Sequence, residues 1–415
     1  MTQKGSEVPK NKMALDMILN ITAAAIPVAL LQIVIYPLIS RHILEEEYGL
    51  MITLYSLWAL ISNTLGNVIF NIRLINDSNY LEHNYQGDFL RIVILYGIVN
   101  TVIISAITIY YNQGVDHLLL SIVTANLLFL KSYLDVGFRL KIDFLAVTIS
   151  AVLVGVGFFI GTLIAIKTGV WEMIFITGYA SGTFFAAVKS KLLKEGIVKT
   201  PLYSRTFNDC LKLTGASIIA NSMTYADKLV LFPLMGGRTT AIYYNATILA
   251  KIVGMVTGPA SGVILTYLSK KKNASKNLFR KMLLSGFCIV TVAYFLVIMT
   301  SRPVFLLLYP QWVEDIMIYI PVTTANVCIL ALISLINPYV MKFCDLKWQL
   351  IINSVGVAVY FAAATVLWSR FGLMGFCFGT VIGSSTRLAL IFYAYCFKSN
   401  LEVNSNQESY RQGGK

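Results

Sequence analysis

Three basic residues, Lys228, Lys251 and Arg387, stand inside long apolar runs, and Asp227 adjoins the first of them. A charge at membrane depth costs roughly 2.5–3.5 kcal/mol on insertion scales, so such residues are functional candidates by default. Arg suits bidentate contact with a phosphate and Lys acts as a point charge, so the chemistry on offer is capture of an anion. Polar neighbours recur around them at helical spacing. Ser217, Asn221, Thr224 and Lys228 make one stripe, and Thr240, Tyr244, Thr247 and Lys251 repeat its steps. Thr380, Ser384 and Arg387 make a third. Thr323, Asn326 and Asn337 share a face approximately, as do Ser56, Asn63, Asn67 and Asn71. In lipid, such stripes must face protein or water, and several converging on one axis would line a wet, cationic cavity. The competing reading is structural. Ser, Thr and Asn bridge membrane helices, Asp227 can neutralise Lys251 or Arg387 in an ion pair, and Lys228 and Asp227 lie close enough to a helix end to snorkel.

Two further charged pairs sit at helix ends. Arg73 and Asp77 are four residues apart and share a helical face, which makes a pair with an anchoring or gating role. Asp135 and Arg139 repeat the spacing and read as a solvated loop contact. Six cysteines lie within or beside apolar runs without a CxxC pair or a His cluster. They read as small hydrophobes, neither disulfides nor metal ligands.

The elements that must position these residues follow from composition. The chain has 415 residues, 57% hydrophobic and 13% charged, with a mean hydropathy of +0.71. Soluble proteins carry about 25% charged residues. A bilayer core needs about 20 apolar residues per helix, which predicts helices over 18–40, 49–70, 89–111, 116–134, 144–166 and 170–188. A second set follows over 209–234, 240–267, 283–300, 316–340, 349–368 and 373–397. The fold class is therefore all-α integral membrane, with about twelve helices in two six-helix lobes around a central cavity. A cytoplasmic segment 1–17 precedes an N-terminal lobe 18–188. A basic linker 189–208 joins it to a C-terminal lobe 209–397, and a polar tail 398–415 reads as disordered. Pro27, Pro37, Pro321 and Pro338 are candidate kinks.

Lys and Arg concentrate on the cytoplasmic side of bacterial membrane proteins. With a cytoplasmic N-terminus, 25 of the 33 Lys and Arg fall in cytoplasmic segments and five in outer loops. The inverse topology would reverse that ratio. The expected location is the bacterial inner membrane with both termini cytoplasmic. The net charge of +13 is thus explained by topology, and no nucleic-acid partner is called for.

Two stretches echo each other: IVIYPLISRHILEEEYGLMITLYSL from Ile33 and KLVLFPLMGGRTTAIYYNATIL from Lys228. Each runs from Pro-Leu through a turn with one Arg into a helix with an early Tyr, as parallel repeats of a transporter would. The segment RHILEEEYGL resembles the turn after the first helix of bacterial polysaccharide flippases, and ADKLVLFPLMGGRTTAIYYNATIL resembles their signature across helices seven and eight. RPVFLLLYPQW resembles the turn after helix nine, and FGLMGFCFGTVIG the start of helix twelve. The chain is identified as similar to Wzx-type O-antigen flippases of the multidrug/oligosaccharidyl-lipid/polysaccharide exporter superfamily. It departs from them at Glu45-Glu46-Glu47, where the family has a Gly-containing turn, and at Thr240-Ala241.

The resemblance implies a transporter that moves an undecaprenyl-pyrophosphate-linked glycan to the outer leaflet, its lipid tail staying among membrane lipids. A polysaccharide polymerase and chain-length proteins are the implied partners. Lys251, Arg387, Lys228, Asn221 and Tyr244 would then contact the pyrophosphate or an acidic sugar. Asp227 would be a coupling carboxylate or an ion-pair partner, and Arg73 and Asp77 a gate or anchor. No cofactor or metal is expected, with coupling to a proton or sodium gradient left open. The rival within the superfamily is a cation-coupled multidrug exporter, which should place acids in its cavity, whereas the central charges here are mostly basic. An enzyme is not expected, because the outer loops are short and none of the loops holds a DxD.

Overall fold

The structure is a computed structural model that describes residues 10–111, 113–269, 276–344 and 346–412. Side chains are described in these ranges except at 10–17, 20, 216, 219–229, 255–256, 258–259, 262–263, 265–267, 269, 276, 346–347, 350 and 397–412. The calls on Asn221, Asp227 and Lys228 therefore lie outside the described side chains.

Among the described residues every long element is a helix. We label them α1 (10–39), α2 (Glu45–Glu82), α3 (Asp88–Tyr110), α4 (Val115–Leu134), α5 (Phe144–Thr168) and α6 (Glu172–Ser190). There follow α7 (203–235), α8 (237–269), α9 (Lys276–Leu308), α10 (Ile320–Phe343), α11 (346–371) and α12 (373–412). Eight helical stretches among the described residues are long and apolar enough to cross a membrane, and the last of these, Ile351–Cys396, contains two helices. This is an integral membrane protein by its helices.

Local chemistry sets the boundaries. Asp143 caps α5 by accepting the Ala146 N–H at 3.0 Å, and Gly169 ends it in the left-handed region at φ 76°. Gly236 (φ 76°, ψ 179°) and Gly372 (φ 56°, ψ −138°) break two otherwise continuous helical traces, conformations only glycine adopts readily. Pro37 has no N–H to give Ile33, and the turn before it widens into a π-helix over Leu31–Ile35.

Four details differ from the sequence expectation. Pro321 sits in the first turn of α10, where its missing N–H costs nothing, and so kinks no span. α2 continues to Glu82, and α9 fills 276–308, running on through Pro303. The 398–412 stretch, expected to lack order, continues α12 to Gln412.

The chain divides into two compact units, Met1–Ala241 and Ile242–Lys415. In the first, helices run alternately between two ends. The turns at 40–44, 111–114 and 169–171 mark what we call the distal end, and those at 83–87, 135–143 and 191–202 the proximal end. The closest pair is α5–α6, whose facing glycines let the backbones approach. A Cβ at Gly157 would lie 2.6 Å from the Thr177 carbonyl oxygen, and one at Gly161 would overlap Thr177 and Met173. The Thr177 and Ser181 hydroxyls donate across to the Gly157 and Leu153 carbonyls at 2.7 and 2.8 Å. Small residues and hydroxyl bridges are how helices associate where lipid removes the hydrophobic driving force. In the second unit α10 packs on α9 and on the trace that forms α11 and α12. Its apolar core joins Phe279, Tyr339, Phe343 and Ile391.

Replacing Gly161 with Leu should overpack α5–α6 at a cost of about 1–3 kcal/mol. The readout is a lower thermal-shift midpoint in detergent, and an unchanged midpoint would mean the two helices do not meet there.

Candidate functional site

In the second unit, α8 carries Tyr244, Thr247 and Lys251 on one face. The Lys251 ammonium lies over the Tyr244 ring, 4.3 Å from its centroid, and Tyr244 is buried. A cation on an aromatic face is favoured when both are shielded from water. Thr247 donates to the Tyr244 carbonyl at 2.7 Å, and Thr240, one turn earlier, to the Gly236 carbonyl at 2.9 Å. From α10, Thr323 donates to the Ala246 carbonyl at 3.1 Å and ties the two helices together.

Arg387 lies at the end of a series on α12. Gly375, Gly379 and Gly383 follow one another at four-residue steps, and α11 presses against all three: a Cβ at 383 would sit 2.5 Å from Tyr360 Cβ. Arg387 is the next residue on that face. Its stem crosses Gly356 of α11, where any Cβ would overlap Arg387 Cγ. Nη2 donates to the Asn353 side-chain oxygen at 3.0 Å, while the buried Nε has no hydrogen-bond partner among the described residues. The guanidinium is half-buried, neutralised by no carboxylate among the described residues, and has donors to spare. Asn337 of α10 accepts from Gln349 at 2.9 Å. Lys251 and Arg387 thus share a unit but rest on different neighbours.

At the proximal end of the first unit the expected Arg73–Asp77 pair is not made. Arg73 is buried and reaches away from its own helix. Its guanidinium forms a bidentate pair with Glu195, donates to the Tyr133 hydroxyl at 2.9 Å and covers the Phe89 ring at 4.9 Å. Planar two-point contact with a carboxylate outcompetes an i,i+4 contact on an exposed flank. Close by, buried Asp88 accepts from the Tyr80 hydroxyl and the Thr200 N–H at 2.9 and 2.8 Å, and from the Thr200 hydroxyl. The basic connection is thereby strapped to the first unit by Glu195 and Thr200. Asp135 pairs with Lys131 at 2.5 Å, while Arg139 lies over the Phe144 ring.

At the distal end the first turn of α2 meets the first turn of α8. The Glu46 carboxylate accepts the Gly237 N–H at 2.6 Å, and Glu45 pairs with Arg238 at 2.8 Å. The backbones touch at Gly49 and Gly237, where a Cβ on Gly49 would overlap the Gly237 carbonyl. A carboxylate at a helix N-terminus satisfies an orphan N–H and meets the positive end of the dipole. The two turns that echo each other in sequence are therefore in contact.

Sequence reasoning named neither Glu195 nor the roles of Glu45 and Glu46, and it passed over His117 and Glu172, which meet at the distal end at 2.5 Å. Signals existed: Glu195 is the lone acid among the lysines of 189–199, and Glu172 opens a helix beside Trp171.

No protein-family model matches the chain, and no curated protein matches it. Solved structures do. An inward-facing multidrug resistance MATE-family transporter of the MOP superfamily superposes with a TM-score of 0.60, at 13% identity over 94% of this chain and 96% of that one. The lipid II flippase MurJ, in an inward closed conformation, gives 0.59 at 14% identity over 92% and 86%. A MATE protein in its straight conformation gives 0.56 at 14% identity over 97% and 100%. The chain has the fold of these membrane transporters.

Removing the Glu195 carboxylate leaves Arg73 charged and buried, a loss of about 3–5 kcal/mol for a broken buried pair. Glu195→Ala should therefore lower thermal stability in detergent far more than Asp77→Ala. Equal effects would mean that Arg73 does not depend on Glu195.

Proposed function

We propose that the chain is a flippase for a lipid-linked oligosaccharide. It would carry an undecaprenyl-pyrophosphate-linked O-antigen or related polysaccharide repeat unit from the cytoplasmic to the periplasmic leaflet of the bacterial inner membrane by alternating access. The observation that carries this reading is the pair of basic side chains in the second unit. Lys251 rests on an aromatic ring, and Arg387 is held by a neutral amide with donors left over. No carboxylate among the described residues pairs with the Arg387 guanidinium, which suits a site awaiting an anion. A pyrophosphate supplies the oxygens that Arg binds in pairs and Lys binds as a point charge.

The reading also draws on the turn motifs, on the loop-charge bias and on a lipid flippase among the solved proteins of this fold. On the charge-derived topology the distal end faces the periplasm and the strap at Glu195 the cytoplasm. The Glu45–Arg238 and Glu46–Gly237 contacts would then have to open when cargo leaves. A polymerase and chain-length proteins would act on the product. Lys228, Asn221 and Tyr244 are assigned to the same site, Asp227 to coupling or charge balance, and Arg73 and Asp77 to the cytoplasmic end.

A second reading has an observation of its own. The MATE neighbours include multidrug transporters, and the first unit buries the acid Glu172, as a cation-coupled exporter would. The two readings separate on cargo. Lys251→Ala and Arg387→Ala should each stop surface glycan assembly, seen on a glycan-stained gel, at unchanged membrane protein level. Gly356→Val, which pushes the Arg387 stem off α11, should reproduce the Arg387→Ala defect. Normal glycan in all three, together with drug resistance on overexpression, would leave the exporter reading standing.

A further inference from the structure

At the distal end of the first unit α2, α4 and α6 each begin with a titratable side chain in the first turn: Glu47, His117 and Glu172. The Glu172 side chain is fully buried, at 0% exposure. One carboxylate oxygen, Oε1, lies 2.5 Å from His117 Nδ1. The other, Oε2, is buried with no hydrogen-bond partner among the described residues. Trp171 and Trp58 stack at 5.5 Å beside it, and Phe175 meets both rings edge-on. Glu47 is near enough to interact electrostatically with both His117 and Glu172.

This arrangement is unstable as a permanently ionised acid. A buried carboxylate needs its lone pairs satisfied or its charge removed, and Glu172 has one oxygen without either. The two forces on it oppose one another: a helix N-terminus favours the charge, whereas an aromatic enclosure and a second carboxylate disfavour it. His117 supplies the connection to water, since its side chain is 38% exposed while Glu172 has none. No three His, Cys, Asp or Glu side chains among the described residues converge as a metal ion would require. Among the described residues, Arg41, His42, Asp116 and Lys167 at this end are exposed, and Glu45 and Glu46 are engaged with Arg238 and Gly237.

We propose that Glu172 and His117 form a proton-exchange site at the distal end of the first unit. An ionised carboxylate only accepts hydrogen bonds, so Nδ1 carries the hydrogen that points at Oε1. Water delivers a proton to Nε2 and the imidazole becomes an imidazolium. The Nδ1 proton then passes to Oε1, leaving a neutral acid and a neutral imidazole with its hydrogen on Nε2. One proton has been bound, and the net charge of the pair has risen from −1 to zero. Release runs the same steps backwards. Because Glu47 is the residue after Glu46, discharge of the pair acts on the turn of α2 that holds Gly237. Use of the site to drive transport rests on the transporter reading above, whereas proton binding itself does not.

The site reports on itself, because two of the five tryptophans adjoin it. In full-length protein carrying Trp312→Phe, Trp348→Phe and Trp368→Phe, emission from Trp58 and Trp171 is followed from pH 4 to 9 without cargo. A one-proton sigmoid is expected. Glu172→Gln, which mimics the protonated acid and keeps its shape, should abolish it. His117→Gln should move its midpoint by at least about one pH unit. A sigmoid unchanged in Glu172→Gln overturns the proposal, as does a response to sodium at fixed pH that replaces the response to protons. A ¹³C-labelled His117 resonance that titrates in the parent and shifts in Glu172→Gln keeps the proposal testable if the emission change is small. Failure of glycan transport in Lys251→Ala bears on cargo and leaves this titration untouched.

Discussion

A peptide group in hydrocarbon has no water to bond, and each one left unsatisfied costs several kcal/mol. That constraint orders this molecule. It makes the long elements helices, and it also claims the side-chain hydroxyls. Thr240, Thr247, Thr380 and Ser384, read from sequence as polar stripes, each bond a carbonyl three or four residues back on their own helix. Other polar groups reach across to a neighbouring helix, such as Thr323 to Ala246 and Ser132 to Asn63. Hydroxyls that look like cavity lining in a helical projection are mostly already spent on backbone, which leaves the charges to define any site.

Those charges differ in what the protein sets against them. Arg73 has a carboxylate, a phenol and an aromatic face, and with them it fixes the connection after α6. Lys251 has an aromatic face, and Arg387 has one amide oxygen and a glycine that makes room for its stem. Glu172 has one imidazole and an oxygen left over. A buried charge paired with an opposite charge, as Arg73 is with Glu195, resists change, because disturbing it strands a charge. Arg387, with no carboxylate opposite it among the described residues, and Glu172, with one buried oxygen unpartnered there, are the ones that an anion or a proton can complete.

The helices were legible because their signal is local: an apolar run of the right length, ended by Gly169, Gly236 or Gly372 or opened by an Asp143 cap. That Tyr244 and Lys251 share a helical face was legible too. What the sequence hid was choice of partner. Arg73 lies four residues from Asp77 and 122 from Glu195, yet it takes the distant acid. His117 and Glu172 are 55 residues apart, each unremarkable in its own segment. Helical spacing shows which face a residue occupies but not which helix will stand opposite it. The placement of Pro321 in a first turn was missed for a simpler reason, since the expected span began at 316, whereas α10 begins at Ile320.

The three glutamates that open α2 read in sequence as a departure from a glycine-containing turn. Successive residues on a helix point about 100° apart, so three in a row cannot serve one site. Here they serve three. Glu45 goes to Arg238, Glu46 to the first N–H of α8, and Glu47 lies within electrostatic reach of His117 and Glu172. A Gly-containing start would supply neither contact to α8 and no neighbour for the buried acid. The same turn therefore both holds the start of α8 and senses the charge beside it. A change in that charge needs no long path to reach the contact, because the two are consecutive residues on one rigid turn.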